Sequence, residues 1–166
     1  MLVTGKQKDF EALDDVSLIW TCIAPAMQQA RGKNFAVKSE AYSHLTIGQR
    51  ALFMFQVMYG HTTKGIEEFY SNLAYLLSNK DVWSQLKKGM QYFGDHNMMQ
   101  IVERMEVLRE SAEQDIILTA GFDRNIELYS AISLINKSFS DTLLRTIRRV
   151  AAYIRDNPDE FVKITD

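Results

Sequence analysis

Hydrophobic residues recur along this chain at intervals of three and four, the period of a helix with one buried face. Asp14 or Asp15 can cap a first helix over residues 14–30, where Val16, Ile19, Trp20, Ile23 and Met27 mark the apolar stripe. Pro25 falls inside it, removes a backbone hydrogen bond and crowds the preceding turn, so a kink or two shorter helices is expected. Residues 31–43 lose the period and read as a loop anchored by Phe35, Val37 and Tyr42. Thr46-Ile47-Gly48-Gln49 has the spacing of a capping box. The helix it opens runs to Tyr59 and is apolar almost all round, at Leu52, Phe53, Phe55, Val57 and Met58. That pattern predicts the central buried helix, with Gly60 as its left-handed stop.

Thr63 can cap the next helix, from Lys64 to Leu77, with Glu67 and Glu68 facing the positive end of its dipole. Asn79 or Asp81 opens another, with Val82, Trp83, Leu86, Met90 and Phe93 inward and Gly94 at its end. Asp95 caps a helix to Ala112 that buries Met98, Ile101, Val102, Met105 and Leu108. Residues 112–121 stay open between two readings, a helical extension and a buried crossing segment. Asp123 starts a helix through Ile135, and Ser140 and Asp141 start a separate one through Ile154. Asn157-Pro158 opens a last short turn, since proline suits the first helical position, and Phe161 and Ile164 clip the tail to the body. The first twelve residues carry no period and read as a frayed end. The expected architecture is all-α, one domain over residues 1–166, a bundle of about seven helices with short connections.

Composition narrows the setting. A chain of 166 residues can bury roughly two thirds of its unfolded surface, so it needs neither disulfide nor metal to fold. Cys22 is the single cysteine and cannot pair within the chain, which fits a reducing cytoplasm. No apolar run reaches the roughly 18 residues of a membrane span, and the start lacks the apolar core of a signal peptide. A net charge of −2 argues against direct nucleic-acid binding, which needs a strong basic field.

The search for chemistry finds little. His44, His61 and His96 are isolated, so no metal site is expected. Cys22 sits among Ile19, Ile23 and Ala26 and reads as an inert buried thiol. No nucleophile elbow, phosphate loop or dinucleotide fingerprint occurs, and no cofactor is expected. Glu67 and Glu68 point about 100° apart on a helix, so they do not converge as an acid–base pair. The aromatics fall at helical spacing, as a core would have them.

Charge patterning is more informative. Glu103, Glu106, Glu110 and Glu113 follow one side of a helix. Lys137, Arg145, Arg148, Arg149 and Arg155 share their stretch with Asp141 as the only acid before Asp156. Such stripes are either solvated faces that neutralise each other or surfaces that meet a partner of opposite charge. The leading expectation is therefore a non-catalytic, cytoplasmic interaction protein, regulatory in kind. It would bind another protein through Glu103, Glu106, Glu110 and Glu113 or through Arg145, Arg148 and Arg149. In the rival expectation, a small-molecule binder or enzyme has a pocket near Tyr59–Asn72, where His61, Thr62, Glu68 and Asn72 would converge. In a third, the stripes pair within a homodimer.

Three segments read together carry a resemblance. Gly65-Ile66-Glu67-Glu68-Phe69-Tyr70-Ser71-Asn72 is similar to an Asn-Gly-Gly-Phe-x-Gln-Phe-x-x-Asn motif, with Gly65 as the second glycine, Phe69 as the aromatic and Asn72 as the final asparagine. Met90-Gln91-Tyr92-Phe93-Gly94, followed by Met98, Met99 and Ile101, resembles a glycine-hinged helix pair. The stretch from Phe139 to Phe161 resembles a C-terminal helix and tail. Over residues 50–161 the chain thus resembles a bacterial all-helical family of unknown function that includes a DNA-mimic protein. Thr63, Lys64 and Glu68 depart from the motif. The resemblance implies a helical fold and, as partner, a DNA-binding protein met by carboxylates arrayed like phosphates. The net charge of −2 suits such mimicry poorly, and the Glu103–Glu113 stripe, rising ~15 Å, is its only candidate.

Overall fold

The computed structural model describes residues 2–118 and 122–165, with side chains described for all of these except 112–118 and 122–125. Among the described residues eight α-helices follow one another: α1 (Gln7–Glu11), α2 (Asp15–Ala30), α3 (Phe35–Ser43), α4 (Ile47–His61), α5 (Ile66–Leu77), α6 (Lys80–Tyr92), α7 (His96–Leu118) and α8 (Phe122–Asp156). The all-α bundle is the observed fold. Two short strands, β1 (Val3–Lys6) and β2 (Val162–Thr165), join the two chain ends in parallel, with Val3 opposite Val162 and Lys6 opposite Thr165. The segment expected to fray is therefore held by backbone hydrogen bonds. These leave no helical period in the sequence, and the partner strand lies at the far end of the chain.

The middle of the bundle follows from α4. Thr46 and Gln49 form the expected reciprocal capping box, with the Gln49 amide donating to Thr46 Oγ1 at 3.1 Å. Leu52, Phe55 and Met58 are fully buried. Helix α6 crosses close by, since a Cβ on Gly89 would sit 3.2 Å from the Ala51 carbonyl oxygen. Leu86 and Met90 of α6 are fully buried in the same core. Phe69 of α5 stacks obliquely on Trp83, with ring centroids 5.9 Å apart. The C-terminal turn is pinned from three sides: Phe161 is fully buried, and the hydroxyls of Tyr92 and Tyr153 both donate to the Glu160 carboxylate. Gly48 makes room for this cluster, as a Cβ there would meet Glu160 Oε2 at 2.7 Å.

Several boundaries differ from the sequence reading. Helix α2 runs uninterrupted through Pro25. Residues expected to form a loop contain α3, because the Asn34 side chain accepts from the Val37 amide and caps it. Its Phe35 and Val37 are exposed, and only Tyr42 anchors, against Phe53 and Gln85. Gly60 stays helical, and α4 ends at His61, capped by Thr62, whose hydroxyl donates to the Met58 carbonyl at 2.9 Å.

Between α4 and α5 the left-handed glycine is Gly65, at φ 110°, and α5 starts at Ile66 rather than Lys64. Glycine offers no capping side chain, so the cap comes from α8: Asn136 Oδ1 accepts from the Ile66 amide at 2.8 Å. The two helices expected after residue 122 are one helix of 35 residues. Ser140 and Asp141 lie in its interior, where Lys137 pairs with Asp141 at 2.7 Å as an ordinary helical neighbour. Residues 112–118 extend α7; the expected cap at Asp123 lies outside the described side chains.

Candidate functional site: the charged faces of the last two helices

Helix α7 owes its orientation to a buried carboxylate. Asp95 Oδ1 accepts from the Met98 amide at 3.0 Å and so caps the helix, while Oδ2 accepts from the Thr146 hydroxyl at 2.6 Å. One side chain thus starts α7 and fastens it to α8. Met98, Ile101, Val102 and Met105 turn inward, which fixes the glutamates on another side.

Those glutamates do not form a free acidic stripe. Glu106 is bonded to Lys87 of α6 at 2.5 Å and its side chain is only 18% exposed. Glu110 lies 3.6 Å from Lys80, a well-exposed pair that contributes little. Glu103 is exposed and, among the described residues, in no ion pair. Glu113 lies outside the described side chains. Reversal of Glu106 to Lys would also break the link between α6 and α7, so it is not a clean probe of binding.

The basic stretch on α8 divides differently. Lys137 is taken by Asp141, and Arg155 by Asp15 at 2.7 Å and the Leu13 carbonyl at 3.0 Å, which ties the end of α8 to the start of α2. Arg145, Arg148 and Arg149 remain. All three are exposed, and none forms an ion pair among the described residues. The buried face of α8, with Thr142, Thr146, Ile147 and Val150, leaves them on its solvent side. Arg149 lies over the left-handed turn at Gly94, with Nη1 3.7 Å from where a Cβ would be. Among the described residues the acidic and basic stripes therefore do not pair with each other: Glu106 and Glu110 pair with lysines of α6 instead.

The residues of the rival pocket are employed locally. The buried Thr62 hydroxyl donates to α4 carbonyls, and Glu68 accepts from the Thr63 hydroxyl at 3.0 Å and the Lys64 amide at 3.1 Å. Asn72 is exposed. Burial holds the His61 pKa below its usual value, with Glu68 opposing and Lys38 reinforcing the shift. Burial pushes the Cys22 thiol up to about 12, which keeps it protonated and unreactive at neutral pH. No cluster of three metal-ligating side chains occurs among the described residues. None of the helices is long and apolar enough to cross a membrane, judged over the described residues.

Sequence reasoning missed an open groove between α7 and α8, lined by Gln100, Arg104, Val107 and Ser111 on one wall and Leu134 on the other. The signal was present, for those α7 residues recur at helical spacing beside the inward stripe. Compared with known proteins, the chain matches no family model, no curated protein and no solved structure.

Proposed function

We propose that this chain is a non-catalytic interaction protein that binds an acidic surface of another protein through the face of α8 carrying Arg145, Arg148 and Arg149. The observation that carries this reading is that these three guanidinium groups are exposed and, among the described residues, without ion-pair partners, whereas Lys137 and Arg155 on the same helix are occupied. Positions three and four apart on a helix bring the groups onto one strip of surface. Their fork of donors matches carboxylates in pairs, which favours an acidic protein segment. The overall charge of −2 weakens long-range attraction to nucleic acid while leaving a local basic patch effective. A reducing, cytoplasmic setting suits the single buried cysteine.

DNA mimicry, the activity implied by the family resemblance, has less support. It needs a free row of carboxylates, and Glu106 and Glu110 are bonded to lysines.

The test is a fluorescence-anisotropy titration of a labelled polyglutamate peptide at low ionic strength, with a DNA duplex as the competing probe. Replacing Arg145, Arg148 and Arg149 together by Gln is expected to weaken polyglutamate binding at least about tenfold, or ~1.4 kcal/mol. Equal binding by the triple variant, or tighter binding of the duplex than of polyglutamate, contradicts the proposal.

A further inference from the structure

Asp141 lies one helical turn from two bases of α8, with Lys137 before it and Arg145 after it. Along the helix it is the only acid within a turn of Arg145, Arg148 or Arg149. Its carboxylate is given to Lys137, whose Nζ donates to Oδ2 at 2.7 Å. Helix geometry favours the other base. An acid four residues before a base pairs better than the reverse order, and a guanidinium offers a carboxylate two parallel donors where an ammonium acts as a point charge. Arg145 has both advantages, yet it forms no ion pair among the described residues. Lys137, Asp141 and Arg145 are all exposed, so packing does not hold the carboxylate to one side.

We infer that Asp141 is a two-position switch on the basic face of α8, and that Lys137 sets it. Turned to Lys137, Asp141 leaves the Arg145 fork open to the carboxylates of a partner. Turned to Arg145, it fills that fork itself and competes with the partner from within the chain. The short side chain passes between the two by rotation about its first torsion. Lys137 is thus a positioning residue, whose charge holds Asp141 away from the arginines. The acidic partner rests on the proposed function, whereas the exchange of Asp141 between two bases is a property of the free chain. Exposed helical pairs at this spacing are weak, so the switch changes affinity about twofold and tunes binding without abolishing it.

Two measurements on the full chain test it. The first needs no partner and follows the arginine Nε–Hε groups by proton–nitrogen NMR. Lys137→Gln is expected to shift the Arg145 signal, Lys137→Arg to leave it in place, and Asp141→Asn to abolish the shift that Lys137→Gln causes. An Arg145 signal indifferent to Lys137→Gln overturns the switch. The second is the polyglutamate titration at low ionic strength. Lys137→Gln is expected to weaken binding about fourfold in the otherwise wild-type chain and only about twofold where Asp141 is already replaced by Asn, the smaller loss being that of one positive charge alone. Lys137→Arg is expected to bind as the wild type does. Equal weakening in the two backgrounds overturns the competition by Asp141. A wild type that binds no polyglutamate defeats the proposed function, and the Arg145 signal then decides the switch by itself.

Discussion

Two helix pairs in this molecule are packed on opposite terms. Where α4 crosses α6, Gly89 lets the backbones approach until a Cβ would sit 3.2 Å from the Ala51 carbonyl oxygen. Leu52, Phe55, Leu86 and Met90 then close over the contact and are fully buried. Where α7 runs beside α8, the Asp95–Thr146 hydrogen bond fixes one end, but Val107 and Leu134 stand in solvent farther along. The difference teaches that helical periodicity alone does not close an interface. A small residue at the crossing allows close packing, whereas larger residues on both walls without a third layer leave a groove. The first pair completes its packing within the chain, and the second leaves Val107 and Leu134 exposed.

The comparison can be broken most severely by truncation on each side. Phe55→Ala removes a fully buried ring from the closed pair and is expected to cost about 3–5 kcal/mol, because the cavity cannot refill. Leu134→Ala, in the open pair, is expected to change monomer stability by no more than about 0.5 kcal/mol. Urea unfolding of both variants checks the contrast, and comparable losses would erase it.

A smaller effect sharpens the picture at the end of α4. Burial holds the His61 pKa below 6.5, so between the folded and unfolded values the unfolded chain binds more protons. The stability linked to His61 is therefore present above the unfolded pKa and declines as pH falls through 6.5 toward the folded value. His61→Gln is expected to flatten a slight drop in the urea midpoint between about pH 7 and pH 5. A slope unchanged by the substitution would assign the drop to other groups.

What could be read from the sequence divides along the same line. The inward faces of α4, α6 and α7 were legible because Leu52, Phe55, Leu86, Met90, Met98 and Met105 repeat at helical spacing and are all fully buried. Local caps at Thr46 and Asp95 were legible too, and those at Asp14 and Asn79 were each one of two candidates, since donor and acceptor lie within a few residues. Contacts between distant residues were not. Asn136 caps α5 from the other end of the sequence, and β1 finds its partner in β2. The unity of α8 was obscured because Ser140 and Asp141 resemble a helix start, although they sit in the middle of a helix. The charged stripes were visible, but which charges stay unpaired depended on α6 lying beside Glu106 and α2 beside Arg155. That partition is the part of the candidate site that needed coordinates.

Native-state amide hydrogen exchange, followed residue by residue, tests most directly whether one helix pair is closed and the other is not. Amides of α4 and α6 are expected to exchange only by global unfolding. Those flanking Val107 and Leu134 are expected to open at lower free energy, because these side chains leave the groove open to solvent. Equal protection in both pairs would contradict the division drawn between them.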